Sequence, residues 1–152
     1  MLSFDAAFDC AANAGAPLAP WALALRGRPF ARRGRGPEAY DCAGVIEHVQ
    51  ALLGRTVKRF ADLYAETEVA APAVLDALIR AEANAWIAGD GAVGDVLVCG
   101  RGRRAHHLAV LCGAGCALEA RSDCGVAITP LSGRRAITHV GDARLYAVLR
   151  PA

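Results

Sequence analysis

The chain has 152 residues, of which 55% are hydrophobic and 21% charged, with a formal net charge of +2 at pH 7. This profile excludes a disordered chain, and the length suits one domain over residues 1–152 with a substantial core. So small a charge speaks against nucleic acid as the main partner, since such domains carry a strong basic excess, although arginines cluster at 26–35 and 101–104.

The N-terminal stretch carries Asp5 and Asp9 and lacks a basic segment followed by an apolar run, so no secretory signal is expected. No stretch approaches the ~20 apolar residues of a membrane span. Synthesis in the cytoplasm and no association with membrane are the expectations. The six cysteines, Cys10, Cys42, Cys99, Cys112, Cys116 and Cys124, would imply a disulfide framework only in a short exported chain, so reduced thiols are expected.

In chain order, Phe4, Ala7, Phe8 and Ala11 predict a short amphipathic helix over residues 3 to about 14, closed by Gly15 and Pro17. A loop rich in Gly, Pro and Arg is expected from Ala22 to Glu38. Its length, and its place just before Cys42, make it a candidate active-site wall or cover. The next helix is predicted with Asp41 as its cap, Gly54 at its end, and Cys42, Val45, Ile46, Val49, Leu52 and Leu53 on its apolar face. A further helix is expected from Pro72 to about Ala88. After Gly94 come short apolar runs at 95–100, 106–113, 116–121, 125–131 and 143–150, separated by glycine turns. Helices followed by strands give an α+β class, with N-terminal helices packed on a roughly five-stranded antiparallel sheet.

Cys42 falls in the first turn of its helix, where the exposed amide groups stabilise a thiolate and a neighbouring imidazolium does so more strongly. Against this stands the plain reading of Cys42 as a buried apolar residue on a helix face. Of the histidines, His48 projects away from that turn and His139 lies in a loop-like segment, whereas His106 and His107 begin a strand. If Leu108, Val110 and Cys112 point into the core, alternation puts His107, Ala109 and Leu111 on the other face, toward a cleft. His106 is the second choice. Glu119, the one acid in the next strand, can lie beside His107 and orient it, or be an ordinary solvated residue. Cys112, Cys116 and Cys124 with a histidine raise a zinc site, but no C-x-x-C pair supports it.

The blocks YDCAGVI (40–46), GDVLV (94–98), HLAVLCGAGCALEA (107–120) and GVAITPL (125–131) occur in an order that resembles the NlpC-type, papain-like cysteine peptidases. Those enzymes cut peptide bonds in bacterial peptidoglycan. The resemblance covers roughly residues 27 to 131. It implies a papain-like fold, Cys42 as nucleophile, His107 as base and Glu119 in the third position, with no metal and no cofactor. Phe30, Asp41, Ala43 and His106 are the implied substrate and oxyanion neighbours. Two positions depart from the family pattern. Ala43 replaces the usual serine, and Phe30 stands where a tyrosine helps the oxyanion site; losing one such donor costs ~10²–10³ in rate where it matters.

The implied substrate is the stem peptide of bacterial peptidoglycan. A wall hydrolase without an export signal needs a carrier, which suggests a phage tail tip or baseplate as partner, or delivery as an antibacterial effector. The alternative is a catalytically degenerate domain kept as a structural component of such a particle.

Overall fold

The computed structural model describes residues 10–55, 86–101, 104–132, 135–138 and 141–151. The helix expected over 3–14 and the one expected from Pro72 therefore lie largely outside the described residues. Of the first, α1 (Ala11–Gly15) is seen, ending at Gly15. α2 (Pro20–Leu25) falls partly in the stretch expected as loop, with Pro20 in its first turn, where a missing N–H costs nothing. Six residues are too few for periodicity to betray a helix. α3 (Cys42–Leu52) starts and stops as its cap and glycine signals predict. Asp41 lies in extended backbone, and its carboxylate accepts the Gly44 amide at 2.7 Å, satisfying a first-turn donor.

The strands are β1 (Trp86–Ala88), β2 (Val96–Arg101), β3 (Arg104–Gly113), β4 (Cys116–Arg121), β5 (Gly125–Ser132), β6 (Arg135–Thr138) and β7 (Gly141–Pro151). The class is α+β. Among the described residues the sheet has seven antiparallel strands where about five were expected, in the order β1-β7-β2-β3-β4-β5-β6. β6 also pairs with β7, so the ladder from β2 to β7 returns on itself. Two elements account for the difference. β6 is a four-residue strand, and Trp86–Ala88 pairs with Leu149–Pro151 of β7 instead of ending a helix. A short apolar run is ambiguous between helix and strand by pattern alone, and here the edge of β7 decides it.

Strand alternation divides the sheet into two apolar faces. Val96, Val98, Leu108, Val110, Cys112, Leu118, Ala120 and Val126 pack against Ala22, Leu25, Val45, Ile46 and Val49 of α2 and α3. Leu97, Cys99, Ala109, Leu111 and Ala117 form a second cluster on the opposite face. Because helices cover the first face and the ladder closes, the second face is the inner one.

Buried polar side chains tie helices to strands. Asn13 accepts the Gly113 amide at 2.7 Å and donates to the Cys116 carbonyl at 3.2 Å, which anchors α1 to the β3–β4 turn. Gln50 donates to the Gly94 carbonyl at 2.8 Å and so fixes the end of α3 against the start of β2. Asp95 accepts the Gly91 and Ala92 amides at 2.9 and 3.1 Å and closes the turn that leads into β2. No helix among the described residues is long and apolar enough to cross a membrane.

Candidate active site

Cys42 occupies the first position of α3 and is buried, with 8% of its surface exposed. Its place is set by the loop that precedes it. The Asp41 amide donates to the Gly34 carbonyl at 3.0 Å, the Tyr40 amide to the Pro29 carbonyl at 2.9 Å, and the Ala31 amide to the Tyr40 carbonyl at 3.2 Å. Arg35 pairs with Asp41 and, at 3.4 Å, with Glu47. Gly44 completes the fit, since a Cβ there would overlap the Gly34 carbonyl. The Gly34–Arg35 part of the loop thus clamps the start of α3.

His107 stands on β3 opposite Cys99 of β2. The next pair is Gly100 with Ala105, which leaves His106 as the extra residue of a β-bulge. A bulge bends its strand and re-aims the neighbouring side chains. Leu108, Val110 and Cys112 face the helices as alternation predicts, with Ala109 and Leu111 on the other side. Ala109 and Leu111 are wholly buried in the inner cluster, so among the described residues that face is packed rather than open beside them. His107 reaches the site where β3 bends, and it is hydrogen-bonded to the Cys42 side chain.

Glu119 on β4 is 0% exposed, which overturns the solvated reading. The register Val110↔Leu118, continued by one residue, sets Ala109 across from Glu119, so His107 lies on the diagonal. A long acid spans that diagonal. Glu119 Oε2 is 3.8 Å from His107 Nε2, an ion-pair contact longer than a direct hydrogen bond. Burial by itself lowers the imidazole, but the hydrogen bond to Cys42 and the contact with Glu119, with their charges, outweigh it. Together they push His107 up from 6.5 to about 10. The proton is therefore held on the ring at neutral pH.

The remaining candidates take other places. Asp41 is the helix cap and the partner of Arg35, which accounts for its carboxylate without substrate. Ala43 is wholly buried, and Phe30 packs half-buried against the helix-side core, bridging to Tyr40. Neither side chain carries a polar group that could donate to an oxyanion. His106 is placed by its backbone as the bulge residue; the histidine brought to Cys42 and Glu119 is His107. His139 lies outside the described residues. His48 is held by Tyr40, whose hydroxyl is 3.2 Å from its Nδ1.

The thiols weighed as a zinc set are dispersed. Cys112 faces the helix-side core, where burial and the neighbouring Cys116 push it up to about 12. Cys116 opens β4, and Cys124 is exposed in the turn beyond its other end. No disulfide joins the six cysteines, and no group able to hold a metal ion occurs among the described residues.

Two neighbours of the site went unread in the sequence. Cys99 is wholly buried opposite His107, and its thiol is pushed far up by burial and then by the charges of Glu119 and Cys42. Arg121 reaches Glu119 with its Nε 3.9 Å from Oε1. Its signal was its spacing, since a residue two beyond Glu119 in a strand shares its face. Compared with protein-family models, with curated proteins and with solved structures, the chain matches none.

Proposed function

We propose that this chain is a papain-like cysteine hydrolase of the NlpC type that cleaves amide bonds in the stem peptide of bacterial peptidoglycan. The observation that carries the reading is His107, buried between the thiol at the start of α3 and a wholly buried carboxylate. An ordinary core histidine needs neither neighbour, whereas a thiol nucleophile needs both.

In this mechanism Cys42 and His107 work as a thiolate–imidazolium pair. Glu119 lies on the Nε2 side of the His107 ring. The thiolate attacks the amide carbonyl, and the Cys42 backbone N–H, at the amino end of α3, donates to the oxyanion. His107 gives its proton to the leaving amine, and the C–N bond breaks to leave a thioester on Cys42. A water then attacks the thioester with His107 as base, releasing the acid and restoring the pair. Glu119 keeps the ring oriented and its positive form favoured throughout. The resemblance in the ordered sequence blocks supplies the substrate class, and transport by a phage tail or similar particle is part of the same proposal.

A second reading has its own observation. Ala43 is wholly buried and Phe30 packs on the core, so the two positions that depart from the family pattern offer no side-chain oxyanion donor. The domain would then be a catalytically silent component of a tail tip or baseplate. Incubating the protein and Cys42→Ala with purified peptidoglycan, and searching the products for new amino termini by mass spectrometry, separates the two. New termini with the native chain and none with Cys42→Ala support the hydrolase. An intact wall in both samples favours the silent component.

A further inference from the structure

Glu119 sits where an ionised acid is costly. It is wholly buried, and neither of its oxygens accepts a hydrogen bond from a described residue. A carboxylate so placed depends on nearby cations. Among the described residues two lie within 4.0 Å, one at each oxygen: His107 Nε2 at 3.8 Å from Oε2, and Arg121 Nε at 3.9 Å from Oε1. Arg121 is in turn gripped from outside by the exposed Asp123, Nε to Oδ1 at 3.0 Å and Nη2 to Oδ2 at 2.8 Å.

Besides His107, Arg121 is the described cation within 4.0 Å of Glu119. A Cys42 thiolate, a His107 imidazolium and a Glu119 carboxylate together carry one excess negative charge. The described groups facing them from other elements leave it uncancelled, and the charge of Arg121 is itself shared with Asp123. On β2, Cys99 stays a neutral thiol because burial pushes it far up. On β5, Ala127 and Thr129, which share the face of Glu119, do not titrate. At the start of α3, Arg35 is already shared between Asp41 and Glu47. Beyond β4, Cys124 is an exposed thiol and Asp123 an acid.

We propose that Arg121 is a positioning residue: aimed by Asp123, its guanidinium holds the Glu119 carboxylate in place and thereby keeps His107 oriented and charged toward Cys42. This rests on the function proposed above, with Cys42, His107 and Glu119 as the reacting group. Arg121 is placed to act through Glu119 rather than on substrate.

The test is the pH dependence of Cys42 alkylation by iodoacetamide, a neutral reagent, read peptide by peptide by mass spectrometry. The native chain is compared with Arg121→Gln, Arg121→Met, Arg121→Lys, Glu119→Gln and the double variant Glu119→Gln/Arg121→Gln. The two neutral replacements should move the low-pH limb of the profile up by about one pH unit, a roughly tenfold lower rate below the limb. Arg121→Lys should retain the native limb. In the Glu119→Gln background, removing Arg121 should shift nothing further. A native-like limb in both neutral variants overturns the inference, and so does an equal shift with and without Glu119. The native profile judges the underlying function separately. A Cys42 that reacts only as an ordinary thiol, near pH ~8.5, sinks both.

Discussion

His107 Nε2 and Glu119 Oε2 face each other at 3.8 Å across the β3–β4 ladder, one on either side of a register diagonal, with both side chains buried. This contact joins the stability of the fold to the ionisation of the site. His107 is raised from 6.5 to about 10 in the folded chain, so its contribution to stability is fully present below pH 6.5 and is lost as pH rises toward 10. The buried thiols Cys99 and Cys112 are also raised, but from 9.0, so their alkaline loss begins later. Among the described groups whose titration folding displaces, His107 is the one that gives the slope between pH 6.5 and 8.5. Melting temperature measured over that window should fall with pH in the native chain and fall less steeply in Glu119→Gln. A parallel slope in the two would remove Glu119 from the account.

Gly44→Ala inverts an ordinary rule. In an exposed helix interior the change stabilises by about 1 kcal/mol. Here a Cβ would overlap the Gly34 carbonyl, which accepts the Asp41 amide. The variant should lose stability by about 1–3 kcal/mol as an overpacked contact, and Cys42 should alkylate more slowly near neutral pH. Urea unfolding together with thiol labelling reads both effects; a stabilised variant would contradict the clamp.

Asp41 and Arg35 give a graded test of how α3 is started. Asp41→Ala removes the bond to the Gly44 amide and the partner of Arg35, and should cost about 1–2 kcal/mol in urea unfolding. Asp41→Asn keeps a capping oxygen and should cost less. Arg35→Gln leaves the cap and removes the ion pairs to Asp41 and Glu47, partly exposed contacts worth about 1 kcal/mol or less. If residues 32–35 merely covered the site, deleting them would speed labelling of Cys42. The clamp predicts a less stable chain, with α3 loosened at its first turn.

Asn13→Ala leaves the Gly113 amide without its side-chain acceptor in a buried turn. An orphaned buried donor costs about 1–3 kcal/mol. Hydrogen exchange at Gly113 should accelerate, while exchange within α3, on another element, should change little. Equal acceleration in both would mean global rather than local loosening.

Much of the scaffold around Cys42 was readable because it follows from local chemistry. An acid before the first turn, a glycine after the last and apolar residues at helical spacing place α3. Alternation between glycine turns places the strands from β2 to β5. Those two periodicities also put His107 and Glu119 on one face and Leu108 on the other. What alternation could not tell was whether that face is open or closed. That depends on β6 and β7 returning to β2, a pairing between residues far apart in the chain.

The sequence by itself determined which residues could carry the chemistry, and on which element each one stands, because capping, helical spacing and strand alternation act over a few residues. Only the tertiary structure decided the environment: Trp86–Ala88 recruited to the edge of β7, the Arg35 clamp on Asp41, the inner face filled around Ala109, and Arg121 set against the buried Glu119. Burial and charge compensation are sums over neighbours brought together by the fold. No local pattern contains those neighbours.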